Sequence, residues 1–265
     1  MSNELIINST PNGSRIALLK EKNLTEFHHD NDENKFKVGD IYLGTVKKIV
    51  PGLNAAFIDI GYEKDAFLHY LDLGPQIKSL NKYTKQALSN KHASGSLANF
   101  KGEPDINKLG KMNQVLTKGQ QILVQIVKEP ISTKGPRVSS ELSLAGRFMV
   151  LIPFSDRISI SQKIESNTEK NRLKKLVKSI RPKGFGIIIR TIAKDQKVKE
   201  LDSDLQQLLG RWKNLCEKFV KVDQYPNKIL SEINRSSSIL RDIFDNDFTG
   251  IHVDDPEMRQ EIMDY

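Results

Sequence analysis

The chain has 265 residues, enough for roughly two domains, and its 38% hydrophobic content supports packed cores rather than disorder. Lys and Arg total 41 against 33 Asp and Glu, a formal net charge of +8; that balance suits a polyanion such as RNA or DNA, though an ordinary lysine excess would look the same. The single cysteine, Cys216, excludes an internal disulfide and a Cys-x-x-Cys metal knuckle. The opening Met1-Ser2-Asn3-Glu4 lacks the regions of a secretory signal. No apolar run approaches the ~18 residues that span a bilayer. The expectation is a cytoplasmic protein with no membrane partner.

Glu4–Asn8 and Ser14–Leu19 flank Ser9-Thr10-Pro11-Asn12-Gly13, whose Pro and Asn-Gly predict a hairpin. Leu24–His28 supplies a third strand, and the polar stretch 30–35 reads as a boundary. Asp40–Val50, Leu53–Ile60 and Asp65–Tyr70 are short strand-like runs punctuated by Pro51-Gly52 and Gly61, and Gln121–Lys128 and Gly135–Leu144 restore the pattern. Five short strands with tight early turns predict a small barrel of the OB type. Gly74–Thr117, between the third and fourth strands, reads as an unusually long loop, functional or mobile.

Beyond Leu144 the pattern is mixed α and β. Met149–Pro153 predicts a buried strand. Ser166 and Glu169 form a capping box ahead of a helix carrying Leu173, Leu176, Val177 and Ile180. Leu201, Leu205, Leu208, Trp212, Leu215 and Phe219 trace one face of another, with Asp202 or Ser203 as its cap; Trp212 and Cys216 read as core. Pro226 and Asp255-Pro256 each predict the start of a further helix.

Gly184–Thr191 is the most informative stretch. Its aliphatic run between glycines predicts a buried strand ending on Arg190 and Thr191. An always-charged arginine there needs an anion or a carboxylate to offset desolvation. Its planar donor fork fits phosphate bidentately and threonine adds one donor; a structural Asp or Glu partner would serve equally well. On the predicted barrel, alternation puts Ala56, Ile58 and Ile60 on one face and Phe57 and Asp59 on the other. Likewise Ala66, Leu68 and Tyr70 oppose Asp65, Phe67 and His69. Phe57 and Phe67 therefore read either as stacking platforms for unpaired bases or as caps of a barrel end. Lys128, Lys134 and Arg137 surround a basic turn that either follows a sugar-phosphate backbone or is merely solvated. The five histidines show no zinc spacing, Asp255 is better explained as a helix cap than as half of a metal site, and no Gly-rich phosphate loop is present.

In order and spacing, Glu4–Asn8, Ile41–Val46, Leu53–Gly61, Ala66–Leu68, Val124–Glu129, Ser143–Pro153 and Ile189-Arg190-Thr191 resemble the amino-terminal half of the ribonuclease E/ribonuclease G family of endoribonucleases. The resemblance implies an α+β fold. In that implied fold, an OB-type β-barrel and a mixed α/β 5′-sensor region would be inserted into a split RNase H-like subdomain. Its expected boundaries are 1–37 and 235–265 for the split (the second part incomplete), 38–142 for the barrel with its 74–117 insertion, and 143–234 for the sensor. It implies RNA contacts at Phe57, Phe67 and Lys134, and a 5′-monophosphate site at Gly146, Val150, Arg190 and Thr191. The implied partner is single-stranded RNA with a 5′-monophosphate, within an endoribonuclease of RNA processing and decay.

The family cuts RNA with magnesium held around an Asp-x-Asn-Ser motif and shares zinc through Cys-x-x-Cys. Asp30-Asn31 and Asp245-Asn246 lie in other contexts. The expectation is no catalytic or metal-ligating residue in this chain, magnesium and zinc only with a downstream catalytic domain, no cleavage by this chain alone, and homo-oligomers only in the full-length protein. The alternative is a stand-alone RNA-binding regulatory module.

Overall fold

A computed structural model describes residues 3–10, 13–31, 36–232 and 248–264. The chain divides into two compact units, one made of the described residues up to 31 with those from 248, the other of Phe36–Glu232. Pro11 and Asn12 of the predicted turn, Asp245-Asn246, and the expected boundary near 234 lie outside the described residues.

In the first unit, β1 (Asn3–Thr10), β2 (Gly13–Lys20) and β3 (Asn23–Asn31) form an antiparallel meander, and β14 (Phe248–Val253) runs parallel to β1. Period-2 alternation buries Leu5, Ile7, Ile16 and Leu18 on one face, where Met258 and Ile262 of helix α4 (Pro256–Asp264) join them. Asp255 does cap that helix: its Oδ1 accepts from the Met258 N–H at 2.7 Å.

The second unit holds two sheets. Strands β4 (Ile41–Val50), β5 (Ala55–Asp59), β6 (Ala66–His69), β7 (Gln121–Lys128) and β8 (Arg137–Ser139) pair in the order β4-β5-β6-β8-β7, and β7 returns to β4. The result is a closed five-stranded barrel of the OB type, with a parallel β6–β8 contact. Its interior holds Val46, Ala56, Ile58, Leu68, Ile122, Val124 and Val138, all fully buried. The final strand is much shorter than the Gly135–Leu144 expected, because Leu144–Ala145 is β9 of the next sheet.

The predicted long loop is corrected. Ile77–Asn90 forms helix α1, and Ile77, Leu80, Tyr83 and Ala87 pack into the core. The return leg is pinned: the Tyr70 hydroxyl donates to Asn107 O (2.6 Å), and the Asn54 amide accepts from Met112 N (2.7 Å) and donates to Gly110 O (3.0 Å). The apolar spacing was present, but the surrounding Lys, Asn and Ser obscured it.

The second sheet has the order β11-β12-β10-β9, with β10 (Met149–Pro153), β11 (Ile158–Ile160) and β12 (Phe185–Ile189). Helices α2 (Asn167–Ile180) and α3 (Val198–Phe219) pack with it. The α3 stripe from Leu201 to Phe219 is buried, Trp212 and Cys216 included. Helix α3 starts at Val198 with no side-chain cap, so Asp202 and Ser203 lie inside it. Half of the predicted capping box forms: Ser166 Oγ accepts from Glu169 N (3.3 Å), while the Glu169 carboxylate is held by Arg172. Pro226 opens no helix; Asn227–Leu230 is strand β13, which pairs with β4 because that edge of the barrel offers unpaired backbone groups.

Leu205 is fully buried at the centre of the α3 stripe. Leu205→Ala is expected to lower unfolding free energy by about 2–5 kcal/mol, read from the denaturant midpoint at unchanged m-value.

Candidate RNA-binding and phosphate-binding sites

Two constellations gather the residues expected to bind RNA. The first lies on the barrel wall. Phe57 and Phe67 are directly opposed on β5 and β6, their rings edge to face with centroids 5.8 Å apart. Each has fully buried neighbours on both sides in its own strand, Ala56 and Ile58 or Ala66 and Leu68, so the pleat turns the rings outward and leaves them half-buried. They line a cleft of about 690 Å³ with Ile131 and the cations Lys64, Lys128, Lys134 and Arg137. Neither ring belongs to the barrel core.

Lys134 closes a tight turn in which Lys134 N donates to Ile131 O at 3.0 Å and Ile131 N to Lys134 O at 3.3 Å. A side chain on the next residue, Gly135, would strike the Asp65 carbonyl, so glycine lets this turn lie close to the start of β6. The cleft's cations differ in commitment. Arg137 is bound bidentately to Asp72, Nε at 2.9 Å and Nη2 at 3.1 Å, whereas Lys64, Lys128 and Lys134 are exposed. Asp59 and His69, on the same outer face, serve locally: Asp59 pairs with Lys47 (3.1 Å), and His69 Nδ1 accepts from Leu71 N (3.2 Å).

The second constellation sits where β12 ends. Arg190 Nη1 donates to the Gly146 carbonyl at 2.9 Å, its backbone N–H donates to Phe148 O at 2.8 Å, and Gly146 N donates to Met149 O at 2.8 Å. Val150 pairs with Ile188 across β10 and β12, and both side chains are turned away from the buried face formed by Met149, Leu151, Ile187 and Ile189. Thr191 follows Arg190, and its hydroxyl shares a 3.0 Å hydrogen bond with that of Ser161. Gly146, Val150, Arg190 and Thr191 are thus brought to one end of this sheet. The loop whose Gly146 carbonyl orients Arg190 also binds the carboxylate of Asp204 of α3.

Asp204 escaped the sequence reading. Its Oδ1 accepts from Arg147 N (2.9 Å) and its Oδ2 from Phe148 N (2.9 Å) and Met149 N (3.1 Å). Burial pushes the Asp204 carboxyl up; the three N–H donors and the Arg190 charge oppose that by favouring the anion. A Cβ on Gly146 would lie 2.5 Å from Asp204 Oδ1, so only glycine fits beside the carboxylate. The signal in the sequence was a lone acid on an apolar stripe, beside Leu205 and three residues after Leu201.

Further ties hold the loops around Arg190. Arg211 Nη1 donates to Ala145 O (3.1 Å) and its Nη2 meets Glu232 (3.3 Å). On the other side, Arg172 forks onto Glu169 with two 2.6 Å bonds and donates to Gln196 O (3.1 Å), while Glu169 Oε1 accepts from Asp195 N (2.9 Å). The segment after Thr191 is thereby fastened to α2.

Among the described residues, no three His, Cys, Asp or Glu side chains come together as metal ligands. No helix among them is long and apolar enough to cross a membrane.

Residues 143–265 match the sequence model of the Ribonuclease E/G family. The chain is 34% identical to Ribonuclease G of Haemophilus influenzae over 253 residues, covering 95% of this chain and 47% of that protein. It is 32% identical to Ribonuclease G of Escherichia coli over 254 residues, 96% of this chain and 48% of the relative. Ribonuclease E of a Synechocystis species is 32% identical over 234 residues, 86% of this chain and 31% of the relative. The chain therefore spans about half the length of the ribonuclease G proteins it matches.

The Arg172 hydrogen bonds hold the Glu169 carboxyl at about 2, below its ordinary 4.5. Its folded value being the lower one, the stability it contributes is full above about 4.5 and is lost as pH falls toward 2. Glu169→Gln should melt below the wild type at neutral pH, and the gap should close on acidification; melting curves across pH check this.

Proposed function

The chain belongs to the ribonuclease E/G family, and on that premise we propose that it binds single-stranded RNA and reads a 5′-monophosphate, as part of an endoribonuclease acting in RNA processing and decay. The observation that carries the binding half is the barrel-wall cleft, where two paired phenylalanines face outward beside exposed lysines. Unpaired bases stack on aromatic faces whatever their identity, and cations along a groove track the phosphates. A strand of RNA entering this cleft would place bases on Phe57 and Phe67 and its backbone beside Lys134.

The sensing half rests on Arg190 and Thr191 at the end of β12. Arg190 has its guanidinium oriented by the Gly146 carbonyl, and an arginine fork offers several N–H donors in one plane. A terminal monophosphate is a compact dianion whose oxygens this fork and the Thr191 hydroxyl would meet, with Gly146 and Val150 shaping the floor. In the other unit, the order β3-β2-β1-β14 with a parallel β1–β14 pair supports the RNase H-like subdomain that the resemblance implies. No hydrolytic step is assigned to the described residues, which supply substrate binding.

Two measurements separate the halves. Arg190→Ala should weaken binding of a 5′-monophosphorylated single-stranded RNA and leave the 5′-hydroxyl form nearly unchanged; equal losses for both would overturn the sensor. Phe57→Ala and Phe67→Ala should each weaken both RNAs alike, by about 1–3 kcal/mol. Intact folding with undiminished affinity would remove the cleft from the binding path.

A further inference from the structure

We propose that Asp204 is the residue that sets the charge selectivity of the Arg190 site, acting through Arg190 and the Gly146–Met149 loop rather than by touching the ligand. The inference rests on the phosphate-sensing reading above and adds to it which group decides between one terminal phosphate and three.

The geometry is that of an anion site built with its own counter-charge. The Asp204 carboxylate is buried (7% exposed) and takes three consecutive backbone N–H groups, from Arg147, Phe148 and Met149. The same loop offers its Gly146 carbonyl to the Arg190 guanidinium and its Phe148 carbonyl to the Arg190 N–H. Gly146, lacking a side chain, lets the carboxylate close against the loop from the other side. Carboxylate and guanidinium thus grip a single four-residue loop.

Charge follows from this placement. The second guanidinium on the loop, Arg211 at the Ala145 carbonyl, has Glu232 as its counter-ion. Arg147 rests its guanidinium 5.4 Å from the Phe148 ring centroid. Arg211 therefore has its own counter-ion, and Arg190 shares its loop with the Asp204 carboxylate. An anion arriving here gains chiefly from oriented donors and little from a net positive field. Donors are satisfied by one compact phosphate. Two more phosphates would bring charge without further donors, and that charge would be repelled by the Asp204 anion. An uncompensated arginine would do the reverse and reward the more highly charged end.

The test uses one RNA sequence carrying a 5′-hydroxyl, a 5′-monophosphate or a 5′-triphosphate, with affinities measured for the wild type and Asp204→Asn. The substitution is expected to cut the preference for monophosphate over triphosphate by about tenfold, the size of a charge–charge interaction across about 12 Å at an effective dielectric of about 20. It should do so through tighter triphosphate binding, with the 5′-hydroxyl form unaffected. An unchanged preference, or a parallel fall for all three RNAs, would overturn the inference and reduce Asp204 to a scaffold. A wild type with no preference for monophosphate over hydroxyl would instead sink the sensor reading itself. Fluorescence of Trp212, buried two turns along the same helix, reports whether the variant folds. Should it not, Gly146→Ala decides by the same ratio, since its added methyl displaces the carboxylate from the loop; a drop supports the role and an unchanged ratio overturns it.

Discussion

A single buried carboxylate organises the end of the second sheet. Three backbone N–H groups in succession have no carbonyl partners in β10, and Asp204 takes them all. Unsatisfied, each would carry a desolvation penalty of about 1–3 kcal/mol. The carboxylate in turn is tolerated in the interior because those donors and the Arg190 charge offset part of its own loss of water. Helix α3 thus does two things with one face. Leu201, Leu205, Leu208 and Trp212 seal the core, and Asp204, on the same stripe, fixes the loop to which Arg190 is joined.

The barrel solves a different problem. Closure of β7 onto β4 joins the ends of the sheet, leaving the start of β4 open to β13, and buries one set of side chains, which obliges the alternate set to face outward. On β5 and β6 that set includes two phenylalanines at paired positions. Their rings are stabilised edge to face yet remain half-buried, so apolar surface is left at the cleft for a ligand of planar rings to cover. The cations nearby divide into those committed to the fold, such as Arg137 on Asp72, and exposed lysines whose pairing is left to a partner. A polyanion that threads this cleft would displace counter-ions from lysine rather than break structural ion pairs.

Basic residues across the molecule follow the same division. Arginines are largely structural: Arg172 on Glu169, Arg137 on Asp72, and Arg211 between Ala145 O and Glu232. Their planar forks suit carboxylates and backbone carbonyls, whereas lysine's hydrated point charge is retained on surfaces. Arg190 too is oriented by the fold, its guanidinium donating to the Gly146 carbonyl at the end of a strand. Its neighbours in space come from β10, from the loop before it and from α3.

Much of this was legible from local pattern. The period-2 runs of β1 to β7, the glycine-bounded strand before Arg190 and the apolar stripe of α3 each bury one face, and burial of a face is written in residue spacing. The outward placement of Phe57 and Phe67 followed from the same alternation. Spacing did not disclose helix α1, because its buried residues are diluted by lysines and amides, nor the strand after Pro226, whose pairing exists only because β4 has a free edge. Above all it did not disclose Asp204. A carboxylate on an apolar stripe has no local explanation, since the three N–H groups it serves lie more than fifty residues earlier in the chain. Periodicity along the chain is a property of neighbours and can be read from order alone; the meeting of a charge with its distant donors is a property of packing, and only the assembled core decides it.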